Sequence, residues 1–214
     1  MKLSGTQFTE LLRQGSNQTL WGGAVLNWTQ AALDESGRLM LRLEVPGGKT
    51  GYYMHDGSKW LSSAVENQVT AAGQNVVEMW GLQAVESKFY ARFVVTAPYR
   101  NAAIVESSNG QSWTVRLKTD DASPVGPRIA FINDFDVNAT GDVLISANVE
   151  FSGIPILVIQ RSAQLDYIHM LSQPISDDLY LVRYAGIDLR DDGGIIVHAF
   201  DVSDRPLIYR FRRD

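Results

Sequence analysis

The chain has 214 residues, no cysteine and a formal charge of −5, with 45% hydrophobic and 20% charged residues. The acidic balance argues against a nucleic-acid partner, which needs clustered cations to displace phosphate counterions; the missing thiols exclude disulfides, thiolate metal sites and cysteine nucleophiles. A chain of this size buries about 70% of its unfolded surface without staples. It carries neither a signal-type apolar stretch nor a membrane span of about 20 apolar residues, so it reads as soluble with no membrane partner: cytoplasmic as written, extracellular or periplasmic if a leader has been removed.

From the N-terminus, a hydrophobic residue recurs at Phe8, Trp60, Trp113 and Leu165, at intervals of 52, 53 and 52 residues, three positions after Gly5, Gly57, Gly110 and Ser162. A second column comprises Trp28, Trp80, Ile132 and Tyr184, and a third Leu39, Phe89, Val143 and Ile195. The first unit predicts strands at Asn27–Leu33, Arg38–Val45, Gly51–His55 and Trp60–Val65, punctuated by Gly37, Pro46-Gly47-Gly48 and Asp56-Gly57. The second unit is two residues shorter at the turn before Phe89. The third predicts Ile129–Val137, Asp142–Glu150, Ile154–Gln160 and Leu165–Met170. The fourth predicts Leu181–Asp188, Ile195–Val202 and Pro206–Phe211, then stops before a fourth strand.

Four-stranded antiparallel units at a fixed period are the composition of an all-β propeller, whose radial packing buries both faces of each blade; a β-sandwich is the alternative. The four repeats of about 52 residues are placed at 20–70, 71–122, 123–173, and 174–214 joined by 1–13. The apolar register of Phe8–Leu12 is that of the missing strand, which makes it the expected partner of Pro206–Phe211. Closure within one molecule gives a four-bladed ring; reciprocal exchange between two gives an eight-bladed homodimer, the preferred reading because Trp28, Trp80 and Tyr184 crowd a narrow axis.

The turns Ala32–Leu39, Asp136–Val143 and Asp188–Ile195 resemble the aliphatic-Asn/Asp-x-x-Gly-x-aliphatic turn of bacterial propeller-repeat proteins. Gly110-Gln111-Ser112-Trp113 is more loosely similar to the Asp-box turn of sialidase-like propellers, with Ser108 at the Asp position. These resemblances imply a propeller and no particular chemistry.

Repeated positions are explained by the fold, so chemistry is sought among polar residues that vary between units: Asn27 and Gln30, Glu78 and Gln83, Asn133, Asp134 and Asp136, Arg183 and Asp188. Asn27, Asn133, Asp134 and Arg183 are selected as ligand-binding residues at the mouth of the central channel. No spacing supplies a metal site, since Asp134-x-Asp136-x-Asn138 lacks the glycine and distal Glu of a calcium loop, nor a nucleophile elbow for a Ser-His-Asp triad. His55 and His169 read as surface residues and His198 as partly buried; the Trp28 column reads as core between blades. Arg205, Arg210, Arg212 and Arg213 read as edge-protecting charges. The functional expectation is a non-catalytic binding or scaffolding module without cofactor, acting on a small molecule, glycan or protein; the alternative is a hydrolytic, carbohydrate-active propeller using Asp134, Asp136 and Arg183.

Overall fold

The computed structural model describes residues 10–71, 73–95, 101–162, 164–171, 173–176 and 179–211. These residues form strands and turns without a helix. A hairpin of β1 (Asn17–Gln18) and β2 (Gly23–Ala24) precedes a first sheet of β3 (Asn27–Leu33), β4 (Leu39–Glu44), β5 (Gly51–His55) and β6 (Trp60–Val65). The second sheet holds β7 (Thr70–Ala71), β8 (Gln74–Val85), β9 (Lys88–Val95), β10 (Ala102–Ser107) and β11 (Thr114–Lys118). The third is β12 (Ile129–Val137), β13 (Val143–Val149), β14 (Pro155–Arg161) and β15 (Gln164–Met170); the fourth is β16 (Pro174–Ser176), β17 (Leu179–Leu189), β18 (Ile195–Asp201) and β19 (Pro206–Phe211). Every pairing is antiparallel between strands adjacent in sequence.

The period-2 alternation of each strand divides its side chains between two cores. Met40, Tyr52 and Met54 pack towards the second sheet, against Phe89, Ala91 and Phe93, whereas Leu41, Leu43 and Tyr53 pack with Trp21 and Val25 on the opposite face. Tyr90 and Ile104 of the second sheet meet Ile145 and Ile156 of the third, and Leu144, Leu157 and Ile159 of the third meet Val197 and Ala199 of the fourth. Buried on both faces, these strands are nearly continuous apolar runs, and each large side chain so buried contributes about 1.5–3 kcal/mol. The first long strands lie side by side in sequence order, β3 on β8, β8 on β12 and β12 on β17.

The repeat holds at the level of single hydrogen bonds. The chain leading into each sheet turns through Ser16 N–H to Arg13 carbonyl (3.0 Å), Gln68 to Val65 (3.0 Å), Asp121 to Lys118 (3.3 Å) and Gln173 to Met170 (2.9 Å). The third residue of the first three turns is left-handed: Gly15 (φ 81°), Asn67 (61°) and Asp120 (72°). Ser162, the departure from glycine in the turn column, also adopts the left-handed conformation at φ 53°. The strands β3, β8, β12 and β17 each carry a β-bulge just after the residues of one column, Trp28, Trp80, Ile132 and Tyr184.

One expectation is corrected in part. Trp28 and Trp80 are not core; they stand 46% and 37% exposed, whereas Ile132, before the same bulge, is buried and Tyr184 packs against the core of the fourth sheet. The histidine expectations are partly reversed as well. His169 is buried, with Nδ1 2.7 Å from the Tyr184 hydroxyl, and His198 is exposed. The turn before Trp113 is capped by Asn109 rather than Ser108: Asn109 Oδ1 accepts the N–H groups of Gln111 and Ser112, both at 2.8 Å, as Asp56 Oδ1 accepts those of Ser58 and Lys59. Those bonds hold the exposed Asp56 carboxyl down at about 2.

Of the segment expected to complete the fourth sheet, Phe8 lies outside the described residues. Glu10–Leu12 is not a strand, and its contacts fall on the first sheet: the Trp60 indole donates to the Leu11 carbonyl (3.1 Å), and Leu12 packs against the cluster around Trp21. Of the C-terminal arginines, Arg205 pairs with Asp201 (2.6 Å) and Arg210 with Asp192 (3.0 Å); Arg212 and Arg213 lie outside the described residues.

Candidate functional site

Three of the polar residues that vary between units bond to the backbone of a neighbouring sheet's first long strand. Gln30 Oε1 accepts Leu82 N–H at 3.1 Å. Gln83 Oε1 accepts Val137 N–H at 3.2 Å while its Nε2 donates to the Phe135 carbonyl at 3.1 Å. Asp136 Oδ2 accepts Leu189 N–H at 2.6 Å. Each side chain ties one first strand to the backbone of the next, and in cross-strand register Gln83, Asp136 and Asp188 are equivalent, opposite Tyr90, Leu144 and Ile196. Dehydration pushes the Asp136 carboxyl above the usual range; the Leu189 and Val137 N–H groups and Gln83 oppose this, and the charge of Asp188 adds to it.

A cleft of about 640 Å³ opens between the second and third sheets, where Glu78, Trp80, Arg92, Phe131, Asn133 and Asn148 line it. Local sequence explains its shape. Gly81 at φ 67° lets the Phe135 ring press on the β8 backbone where a Cβ would collide with it, and Asn133 is the bulged residue of β12, unpaired between Ile132 and Asp134. A bulge turns its carbonyls out of the ladder. Arg92 compensates by donating to the Ile132 carbonyl (3.0 Å) and to that of Asn133. The Asn133 amide donates to Asn148 Oδ1 (2.5 Å), whose own amide donates to the Gly153 carbonyl (2.5 Å). The Arg42 guanidinium lies 5.3 Å from the Trp80 ring centroid and pairs with Glu66 (2.7 Å). A cation, a carboxylate, two amides and aromatic edges thus converge on one opening, the composition of a polar-ligand site.

Of the four ligand residues read from sequence, Asn133 lines this cleft. Asp134 adjoins it: its Oδ1 accepts Phe135 N–H (3.0 Å), and its carboxyl is pushed up by dehydration and by the Asp136 charge, against the pull of that N–H and of Arg92. Asn27 and Arg183 are on the first and fourth sheets. Asn27 Oδ1 accepts Trp28 N–H (2.9 Å); Arg183 stacks 3.9 Å over the Phe200 ring and reaches Asp204 at 3.3 Å. Arg92 and Asn148 were not selected from sequence, although Arg92 is conspicuous as a cation inside the apolar run Phe89–Val95.

A second cleft of about 410 Å³ lies between the turns after β12 and β17 and includes Asp142, Asp191 and Asp192. Its carboxylates are engaged: Asp191 accepts Ala139 N–H (2.8 Å), Asp142 faces Arg161 (3.5 Å) and Asp192 faces Arg210 (3.0 Å). Among the described residues, no three His, Cys, Asp or Glu side chains are grouped to hold a metal ion. Comparison with protein-family models and with curated proteins gives no match to this chain.

Proposed function

We propose that the chain is a non-catalytic β-propeller acting as a binding module, with its ligand at the inner end of the blades where Asn133 and Asp134 stand beside Arg92. The observation that carries this is the use of the inner-strand polar groups. Gln30, Gln83 and Asp136 are spent on joints between neighbouring strands, which leaves the bulge at Asn133, with Trp80, Glu78 and Asn148 around it, as the polar surface that the repeat does not consume. Paired amides beside a half-exposed indole suit hydroxyl-rich ligands such as oligosaccharides, whose hydroxyls take amide hydrogen bonds and whose apolar ring faces lie on indole. Asn27 and Arg183, on the terminal blades, border the same channel mouth once the blades form a ring.

The raised carboxyl of Asp134 beside Arg92 favours a second reading, hydrolysis, because perturbed carboxyls accompany acid catalysis. One experiment addresses both. Thermal-shift measurements with a panel of neutral and acidic oligosaccharides are expected to raise the melting temperature of the wild type in proportion to ligand concentration, and Asn133→Ala and Asn148→Ala are expected to abolish that rise. Turnover of nitrophenyl glycosides that Asp134→Asn eliminates would replace the binding reading with the hydrolytic one.

A further inference from the structure

The two ends of the row of sheets are unmatched halves of the joint that links its interior members. Consider the face each sheet presents to the next. Tyr52, Ile104 and Leu157 occupy one register position on that face, opposite Arg42, Arg92 and Ser146, each three residues beyond the column Leu39, Phe89 and Val143, and all three are fully buried. The fourth-sheet equivalent, Ile208 opposite His198, is 72% exposed. On the side that receives the preceding sheet, Val137 and Leu189 are buried, while Leu33, at the same register of the first sheet, is 62% exposed. Asp34 N–H bonds across the hairpin to the Arg38 carbonyl, so the Leu33–Leu39 pair is non-hydrogen-bonded and Leu33 N–H points away from β4, as the bonded N–H groups of Val137 and Leu189 do from their own partners. Asp188, the register equivalent of Gln83 and Asp136, is an exposed acceptor for such a group.

The N-terminal segment supplies the third piece. The Trp113 indole of the second sheet donates to Ser63 of the first sheet's outer strand (3.2 Å), and the Trp60 indole of the first donates to Leu11, 52 residues before Ser63. The turns at Arg13–Ser16 and Val65–Gln68 carry the same hydrogen bond. Glu10–Leu12 therefore lies on the first sheet where the outer strand of a preceding sheet belongs. In the fourth sheet only two strands, β18 and β19, follow the long β17, whereas three follow β3, β8 and β12, and among the described residues β17 does not lie along β3 as the interior first strands lie along one another.

We propose that the preceding sheet is the fourth sheet of a second copy of this chain: two copies exchange the joint reciprocally, Leu12 of each beside Ile208 of the other, with Asp188 directed at Leu33 N–H and His198 at Trp28. The occupant is a second copy because both halves of the joint are present in this chain, and among the described residues Leu33 and Ile208 stand exposed rather than against each other's sheet. The proposal rests on the propeller reading of the fold and is independent of the ligand.

The register pairs Ile208 with Leu12 as it pairs Tyr52 with Ala64, neighbours close enough for a disulfide, and the chain has no native cysteine to interfere. In Leu12→Cys/Ile208→Cys, oxidation is expected to give a covalent dimer of twice 23.7 kDa on non-reducing gels. The wild type is expected to sediment as a dimer at tens of micromolar, and Leu33→Asp and Ile208→Asp, both at exposed positions, to sediment as monomers with unchanged circular dichroism. A cross-link confined to single chains would assign closure to one molecule and overturn the proposal, as would a monomeric wild type. Oligosaccharide binding that persists in such a monomer would leave the functional reading standing.

Discussion

Gln83→Ala isolates the joint between the second and third sheets. Gln83 makes two hydrogen bonds to β12, accepting from Val137 N–H (3.2 Å) and donating to the Phe135 carbonyl (3.1 Å). Each is worth about 1 kcal/mol net, and a buried N–H left without a partner costs about 1–3 kcal/mol. Val137 is buried, so orphaning its N–H carries that penalty and loss of the bond to the Phe135 carbonyl adds about 1 kcal/mol, for a total of about 2–4 kcal/mol. In a chain of this length that lowers the melting temperature by about 4–16 °C. Urea unfolding gives the free energy directly, and an unchanged slope against denaturant confirms that compactness is preserved. Gln164→Ala is the control, because that exposed amide bonds only to Asp166 within its own hairpin (2.5 Å), and a change under about 0.5 kcal/mol is expected there. A Gln83→Ala protein as stable as the control would refute the claim that the varying inner-strand polar residues are structural ties.

Two further outcomes follow from the same geometry. The Asp136 carboxyl is raised by burial, so the folded state holds its proton more tightly than the unfolded chain, and the stabilisation this gives at acid pH is lost as pH rises through the folded value. Asp136→Asn keeps an acceptor for Leu189 N–H without titrating, so the stability of wild type minus variant is expected to fall from pH 4.5 to pH 7 in urea titrations; a difference that is flat or rises contradicts the assignment. Gly51→Ala would drive a methyl into the Ala64 carbonyl across the β5–β6 pair, and the forced separation of backbones is expected to cost about 3 kcal/mol, with a melting temperature within 2 °C of wild type counting against it.

The antiparallel strands were legible because their signals are local. Apolar runs bounded by Gly, Asp and Asn placed β3, β5, β6, β12 and β19 at the observed bounds. The bulges were not legible, because one extra residue in a ladder leaves no mark in composition; nor was the exposure of Trp28 and Trp80, since Ile132 occupies the same column and is buried. Asn109 was missed for a similar reason, since a one-residue offset within the turn decides which side chain caps it. His169 was misjudged because its burial comes from Tyr184, fifteen residues away on the next sheet, a contact no strand pattern encodes.

The candidate site exposes a deeper ambiguity. Reading residues whose chemistry differs between repeats as functional presumes that a structural role conserves the residue type from repeat to repeat. The joints show why the premise fails: tying one inner strand to the next requires only an acceptor oxygen at the right reach, and Gln30, Gln83 and Asp136 supply it with different side chains. Identity varies while the role repeats. The bulge works the other way. Its geometry recurs in all four sheets, but in the third it presents Asn133, whose amide is free to turn towards Asn148 because Arg92 has already taken the carbonyls. The neighbouring sheet satisfies the backbone at that point and so does not dictate the side chain; under the proposed binding reading, a polar residue whose backbone is satisfied in this way is a better candidate than one that merely departs from the repeat.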